Sequence, residues 1–383
     1  MKNDSPEFLF FFREYPSDSD YYYCSQWYES PFFYKGNFFA TSEHFMMFYK
    51  AVLFGDKEIA NKIINEKSPR EVKKLGGEVR GFSDPVWMDN FKKIVYVGNK
   101  EKFLQNHDIL KLLLHTTGSC LVEASPFDPL YGIKLAATDK NVNNPFYWKG
   151  ANALGEIITK LRDDILSGRI WSTVDLSKPE YLGAKLVVDD YLSKNKVKKT
   201  TYQVRGDLIE SFKRGDVDVI IQSCNCFNRM GFGIAKKISS MYPAAELVDK
   251  KTKSGDIEKL GTYSFAEISS GKFIINAYAQ YGYGKIGIRA DEILRGETDV
   301  KGKDPDRPHI SYDCLDKILT KINNDFRGLR VGVPTIGADL GRSDWGVIKG
   351  LIRDRLTDVD VKIFYFDEVV MKRRFAMENG FGC

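Results

Sequence analysis

Two folds in tandem are expected from the 383-residue sequence: a mainly helical α+β domain, then an α/β domain of three α/β/α layers. Three observations lead there. Residues 42–165 carry runs of helical periodicity, residues 200–367 alternate strand-type with helix-type runs, and a Ser-Lys-Pro and lysine-rich stretch separates the two. The expected boundaries are 1–168, a linker at 169–199, 200–367, and a tail at 368–383. A chain of this length ordinarily makes two or three domains.

In the first part, Thr41 and Ser42 are cap candidates for an apolar helix over residues 42–54, and Gly36 marks a hairpin before it. Ser68-Pro69-Arg70-Glu71 reads as a capping box with proline at the first helical position. Helices follow over 92–106 and 108–115, and residues 152–165 place Leu154, Ile157, Ile158, Leu161 and Ile165 on one face. The linker carries a short helix at 179–192. In the second part, strands are expected at 217–223, 261–268, 272–279, 330–334 and 361–366, with helices at 233–241, 310–326 and 343–356.

Hydrophobic residues make up 43% and charged residues 28%, which excludes wholesale disorder. Lys plus Arg number 57 against 52 acids, and the net charge of +5 permits a polyanionic partner without requiring one. Six cysteines over this length form no disulfide framework. Cys224 and Cys226 lie close but lack a second pair to complete a zinc site, so no metal is expected. Reduced thiols place the chain in the cytoplasm. The apolar start at 8–12 is too short for a signal peptide or a membrane span. Aromatic residues reach 13% and crowd into residues 8–49, as core or as a pocket for a flat ring.

The plainer motif lies in the second part. A buried-type strand runs into Asn225-Cys226-Phe227-Asn228-Arg229-Met230-Gly231-Phe232-Gly233-Ile234 and then a helix. There, glycines let the backbone approach a diphosphate and the helix amides face it. The third glycine of the dinucleotide fingerprint is absent, which argues against a Rossmann site. Gly206-Asp207-Leu208 lies ahead, Asn276-Ala277-Tyr278 in the middle, and Pro334-Thr335-Ile336-Gly337-Ala338-Asp339 near the end.

Together these resemble a macro domain over about residues 200–367. The resemblance implies that Asp207 accepts from the adenine amino group and that Leu208 contacts the ring. Gly231, Phe232, Gly233 and Ile234 would wrap the diphosphate from one side, with Thr335, Gly337, Ala338 and Asp339 on the other, and Asn225 near the distal ribose. The plain alternatives are a turn carboxylate for Asp207 and a backbone-bonding loop residue for Asn225. Macro hydrolases carry a lysine on the strand after the cradle, and residues 264–269 have none. Their late acid falls on Gly341, with Asp339 two places earlier. The expectation is therefore an ADP-ribose binder.

In the first part, Thr41-Ser42-Glu43-His44-Phe45 opens a helix, with Lys50 seven residues after Glu43. Alone, Glu43 would simply complement the helix dipole. It is accompanied by Ser25-Gln26-Trp27, Trp87, Lys102-Phe103, Leu121-Val122-Glu123-Ala124-Ser125, Asp128, Tyr131-Gly132 and the stretch 148–155. This set resembles the NADAR family, to which the YbiA-type N-glycosidases belong, over roughly residues 8–166. Gln26-Trp27 and Tyr131-Gly132 stand where the family has Asn-Phe and Trp-Gly, keeping an amide and an aromatic.

The resemblance implies cleavage of an N-glycosidic bond, in riboflavin-pathway intermediates or between ADP-ribose and guanine in nucleic acid. Loss of a base from C1 leaves an oxocarbenium-like ribose that a carboxylate stabilises. Glu43 is the candidate for that role, with Asp128 orienting water or holding a ribose hydroxyl, unless it is an ordinary loop acid. Ser25, Gln26 and Gly132 would shape the substrate pocket. Trp27, Trp87 and Tyr131 would stack on a nucleobase or belong to the core. Lys50 meets a phosphate or pairs with a nearby acid, and Glu123 reads as structural.

Both parts converge on one ligand. The tandem resembles the antitoxin partners of DarT-type DNA ADP-ribosyltransferases, and equally phage proteins that reverse such damage. Three readings stay open: an enzyme freeing guanine in DNA from ADP-ribose, a small-molecule N-glycosidase regulated by its macro part, and a binder sequestering an ADP-ribose-like ligand or the toxin. The expected partners are ADP-ribose or ADP-ribosylated DNA and a DarT-type toxin. No cofactor and no membrane contact are expected, and the chain is expected to be a monomer in the cytoplasm, the host's if phage-encoded.

Overall fold

The computed structural model describes residues 7–197, 200–282, 310–337 and 343–365. Ala338 and Asp339 and the tail at 368–383 lie outside the described residues. Contacts divide the chain into two units, Met1–Thr200 and Thr201–Cys383.

In the first unit, strand β1 (Phe8–Phe11) pairs in parallel with β4 (Cys120–Glu123), setting Phe11 opposite Glu123. A hairpin of β2 (Phe32–Tyr34) and β3 (Asn37–Phe39) turns through Lys35 and Gly36, at φ 49° and 82°. Around these strands run α1 (Ser42–Leu53), α2 (Lys57–Asn65), α3 (Pro69–Gly77), α4 (Asp84–Gln105), α5 (His107–Leu114), α6 (Ala153–Leu166) and α7 (Pro179–Lys194).

Thr41 caps α1, its hydroxyl accepting from the His44 amide at 3.4 Å. At α3 the capping box closes on one side only. Ser68 Oγ accepts from the Glu71 amide at 3.5 Å, but Glu71 turns to Lys74 and the Ser68 amide donates to Glu66 at 2.9 Å. Helix α4 starts at Asp84, eight residues before the expected 92, because Pro85 opens its first turn.

The stretch 169–199, expected as a linker, is part of the first unit. Tyr181, Ala184, Val188 and Tyr191 lie on one stripe of α7 and are buried in the same core as α4, α5 and α6. The Tyr181 hydroxyl donates to Glu101 at 2.6 Å, and His107 Nε2 bonds the Glu180 carbonyl at 2.9 Å.

The second unit is built on six strands: β5 (Tyr202–Val204), β6 (Val219–Asn225), β7 (Tyr263–Ser269), β8 (Lys272–Gln280), β9 (Arg330–Pro334) and β10 (Asp360–Phe364). Their order is β5-β10-β9-β6-β8-β7, parallel throughout except for β7. Ile220 and Ile274 face a core shared with α8 (Leu208–Arg214), α9 (Gly233–Met241) and α10 (Pro243–Lys250). The alternate residues Ile221, Ile275 and Val333 are fully buried on the other face, where α11 (Tyr312–Asp325) and α12 (Trp345–Arg355) pack. Those are the three layers expected. Gly332 has no room for a side chain, since a Cβ there would sit 2.3 Å from Leu208 Cδ1. Parallel pairing brings the C-terminal ends of β5, β6 and β9 to one edge of the sheet, where open α/β sheets hold ligands.

Candidate active site and ligand cradle

Glu43 occupies the first turn of α1 and is 3% exposed. Its amide donates to the Gln26 carbonyl at 3.0 Å, and the Trp27 indole donates to its carboxylate. Oε1 has no hydrogen-bond partner among the described residues. Burial pushes the carboxyl up to about 7, with Asp128 adding to the rise and Lys73, Trp27 and Lys50 opposing it.

Glu123, read from sequence as structural, shares that environment. It ends β4, and its amide donates to Asn152 Oδ1 at 2.9 Å. Its Oε2 is shielded from solvent and unpartnered among the described residues. Burial raises it to about 8, and Asp128 and Glu43 add to the rise. Lys73 in α3 acts on both glutamates, and its ammonium lies 6.0 Å from the centre of the Trp27 ring.

Asp128 has a turn job on one oxygen. Its Oδ1 accepts from the Leu130 and Tyr131 amides at 2.9 and 2.8 Å, while its charge bears on Glu43, Glu123 and Tyr131. Burial, then Glu43, raises the Tyr131 phenol, whose oxygen accepts from Trp87. Trp87 itself is 6% exposed and packs against Phe91 at 6.3 Å, so its ring belongs to the core. Lys50 donates to the Gly76 carbonyl at 2.8 Å and lies 4.3 Å from the centre of the Phe82 ring. Burial lowers its pKa, against the pull of Asp84 and Glu43.

The floor of the site is tied to α4. Lys102, fully buried, donates to the Ser25 carbonyl at 2.8 Å, and Asn99 Nδ2 donates to Gln26 Oε1 at 2.9 Å. Gly132 is required by closeness, since a Cβ there would meet Ser125 Cβ at 2.7 Å and the Glu123 carbonyl at 3.0 Å. The structure thus gathers Gln26, Trp27, Glu43, Lys50, Asp128 and Tyr131 with two residues outside the expected set, Glu123 and Lys73. Glu123 stood within the 121–125 motif but read as structural, and Lys73 had no local signal; the β1–β4 pairing and the packing of α3 on α1 bring them to the others.

In the second unit, Arg205 to Asp207, the loop 226–232 and residues 335–337 follow β5, β6 and β9 at one sheet edge. Asp207 caps α8, its Oδ1 accepting from the Ile209 and Glu210 amides at 2.8 and 3.2 Å. A cleft beside it is lined by Asp207, Glu210, Lys236 and Lys237. Leu208 is buried beneath this edge.

Asn225 spends its amide on the loop. Nδ2 donates to the Arg229 carbonyl at 2.8 Å, and Oδ1 accepts from the Phe227 and Arg229 amides at 3.0 and 3.3 Å. These bonds shape the cradle. Lys259 props the same loop from below, donating to the Cys226 carbonyl at 3.1 Å and Asn228 Oδ1 at 3.0 Å.

Above the loop, Gly231 and Gly233 have open space where a side chain would stand, and Phe232 is 76% exposed. Ile234 is part-buried in the first turn of α9, which has no side-chain cap. Gly233 sits at φ +55°, a left-handed conformation that disfavours other residues. Opposite, Thr335 is part-buried, and Gly337 at φ +67° would drive a Cβ to 2.5 Å from Ile310 Cδ1.

Among the described residues no group of three or more His, Cys, Asp or Glu side chains is placed to hold a metal ion, and no helix is long and apolar enough to cross a membrane. The NADAR domain family matches residues 10–166. Over 167 residues the chain is 36% identical to N-glycosidase R617 of Acanthamoeba polyphaga mimivirus, spanning 42% of this chain and 98% of that protein. Among solved structures, it is similar to YbiA of E. coli, with a TM-score of 0.36 and 23% identity over 44% of this chain and 89% of that one. It is similar also to the macrodomain of Thermus aquaticus DarG, with a TM-score of 0.31 and 15% identity over 44% of this chain and 97% of that one.

Proposed function

Because the chain belongs to the NADAR family through residues 10–166, we propose that its first unit hydrolyses the N-glycosidic bond joining ADP-ribose to guanine in DNA, and that its second unit binds ADP-ribose. The observation that carries the first half is the pairing of Glu43 with Glu123, two carboxyls with bare oxygens raised to about 7 and about 8. Cleavage of the C1–nitrogen bond makes two opposite demands. The ribosyl cation needs an anion beside it, and the departing guanine needs a proton.

Two buried carboxyls whose charges act on each other answer both, one ionised while the other is protonated. Glu43, the one with an indole donor, is the carboxylate that stabilises the cation and directs water to C1. Glu123 gives a proton to the leaving base. The water's oxygen bonds C1, and its proton leaves through Glu43. Lys73 and the Trp27 indole hold the Glu43 charge, and the part-buried rings of Trp27 and Tyr131 offer faces to the base. The name of the mimivirus relative, an N-glycosidase, supports this bond class.

The support for the second half is the open cradle over Gly231 and Gly233 facing the turn at 335–337 across one sheet edge. In this reading Asp207 uses its remaining oxygen for the adenine amino group. The chain would act as an antitoxin or counter-defence protein against a DarT-type transferase.

The experiment is incubation of the full chain with an oligonucleotide carrying ADP-ribosylated guanine. The expected products are free ADP-ribose and restored guanine. Release of neither, together with turnover of a riboflavin-pathway intermediate, would replace this reading with the small-molecule one.

A further inference from the structure

Beside the carboxyl cluster lies an aromatic pair that the chemistry leaves unused. Phe127 is 75% exposed although it immediately precedes Asp128. Its ring lies 6.4 Å from that of Phe12, tilted by 48°. The parallel pairing explains why they meet: Phe11 stands opposite Glu123, and the Ala124 amide donates to the Phe11 carbonyl at 2.7 Å. Phe12 and the 124–128 turn therefore leave β1 and β4 at the edge that carries Glu123.

The turn is held rigid. Ser125 Oγ accepts from the Phe127 and Asp128 amides at 3.4 and 3.2 Å, and Asp128 Oδ1 accepts from the next two amides in the chain. A fixed ring presented to solvent loses little conformational entropy when something stacks on it.

One cation sits at the pair. The Arg13 guanidinium carbon lies 5.5 Å from the centre of the Phe12 ring. Its contact with Asp18, at 4.0 Å with the arginine side chain 59% exposed, is too loose to hold it from a phosphate. Tyr15 is 55% exposed, the pKa of its hydroxyl raised by a hydrogen bond to Glu14 and by that residue's charge, with Arg13 and Arg70 opposing the rise. Arg70 and Lys73 stand three apart on α3 and so share a face.

We propose that Phe12 and Phe127, with Arg13 beside them, form a stacking platform for the nucleotide that neighbours the modified base in a single strand of nucleic acid. Exposed rings take base faces of any sequence and guanidinium groups take the phosphates, the combination by which proteins hold single strands. A free nucleotide or a riboflavin-pathway intermediate has no neighbouring base to place there. The platform rests on the reading of the first unit as an enzyme of modified nucleic acid and names the form of its substrate. A duplex would enter only with its modified base turned out of the stack.

The test uses the full chain, a single-stranded oligonucleotide with one ADP-ribosylated guanine, and the corresponding ADP-ribosylated deoxyguanosine. Stacking is worth about 1–3 kcal/mol per base, so Phe127→Ala should raise KM for the oligonucleotide by roughly 5–150-fold. Turnover of the nucleoside should stay within about twofold, and Phe127→Trp should restore oligonucleotide KM. Arg13→Gln should flatten the salt dependence of oligonucleotide binding. Equal losses on both substrates, or none on the oligonucleotide, would overturn the platform.

If the parent protein releases ADP-ribose from neither substrate, the enzymatic reading has failed. The platform is then judged by fluorescence anisotropy with unmodified single strand. Weakening of roughly fivefold or more in Phe127→Ala supports it, and unchanged affinity overturns it.

Discussion

At Glu43, the burial that lifts the carboxyl from 4.5 to about 7 also makes its ionised form costly to the fold. The unfolded chain ionises this group first, so the stability it lends is full below about 4.5, falls as pH rises, and is lost above about 7. At about 1.4 kcal/mol per unit the loss approaches ~3 kcal/mol. Glu43→Gln is accordingly expected to melt several degrees higher than the parent at pH 8, with the difference vanishing near pH 4, in thermal scans. The same variant should release ADP-ribose roughly 10²–10⁴-fold more slowly in single-turnover assays while still binding substrate. Full activity would remove Glu43 from the reaction. The profile of kcat/KM against pH should rise through about 7 and fall through about 8, and Glu123→Gln should abolish the falling limb. Glu43 was legible because its motif is local. Glu123 stood in a motif but its role was not legible, and Lys73 was not legible at all, because strand pairing and helix packing bring them to it.

Helix α4 shows how an element far from the chemistry sets its geometry. Asn99 and Lys102, three apart, grip Gln26 and Ser25, and Gln26 in turn receives the Glu43 amide. Asn99→Ala should lower kcat by roughly tenfold with KM little changed, because it frees the segment that orients Trp27 against Glu43. Equal kcat in that variant would make the grip purely structural. In the second unit the glycines of the cradle separate fold from binding. Gly231 has open space and ordinary backbone, so Gly231→Val should leave the circular dichroism spectrum unchanged and abolish ADP-ribose binding in calorimetry. Gly233 at φ +55° is the poorer probe, since any side chain there strains the backbone. Long elements such as α6 and β6 were readable from their apolar spacing. Strands β1 to β5, of three or four residues each, are too short to display an alternation.

For the whole molecule, the boundary matters because α7 belongs to the first unit. The Ser-Lys-Pro opening and the lysines that follow suggested a linker, yet Tyr181, Ala184, Val188 and Tyr191 make a buried stripe. A chain cut after residue 168 would expose their partners on α4 and α5, so it should aggregate or melt well below a chain cut after Thr200. That boundary defines the pieces for the central question, which unit cuts and which one holds. Residues 1–200 and 201–383 are each given the same oligonucleotide bearing ADP-ribosylated guanine, and free ADP-ribose is followed in time. Release by residues 1–200 at a rate near that of the full chain, with none from residues 201–383, is the predicted result. Release confined to residues 201–383 would contradict the account.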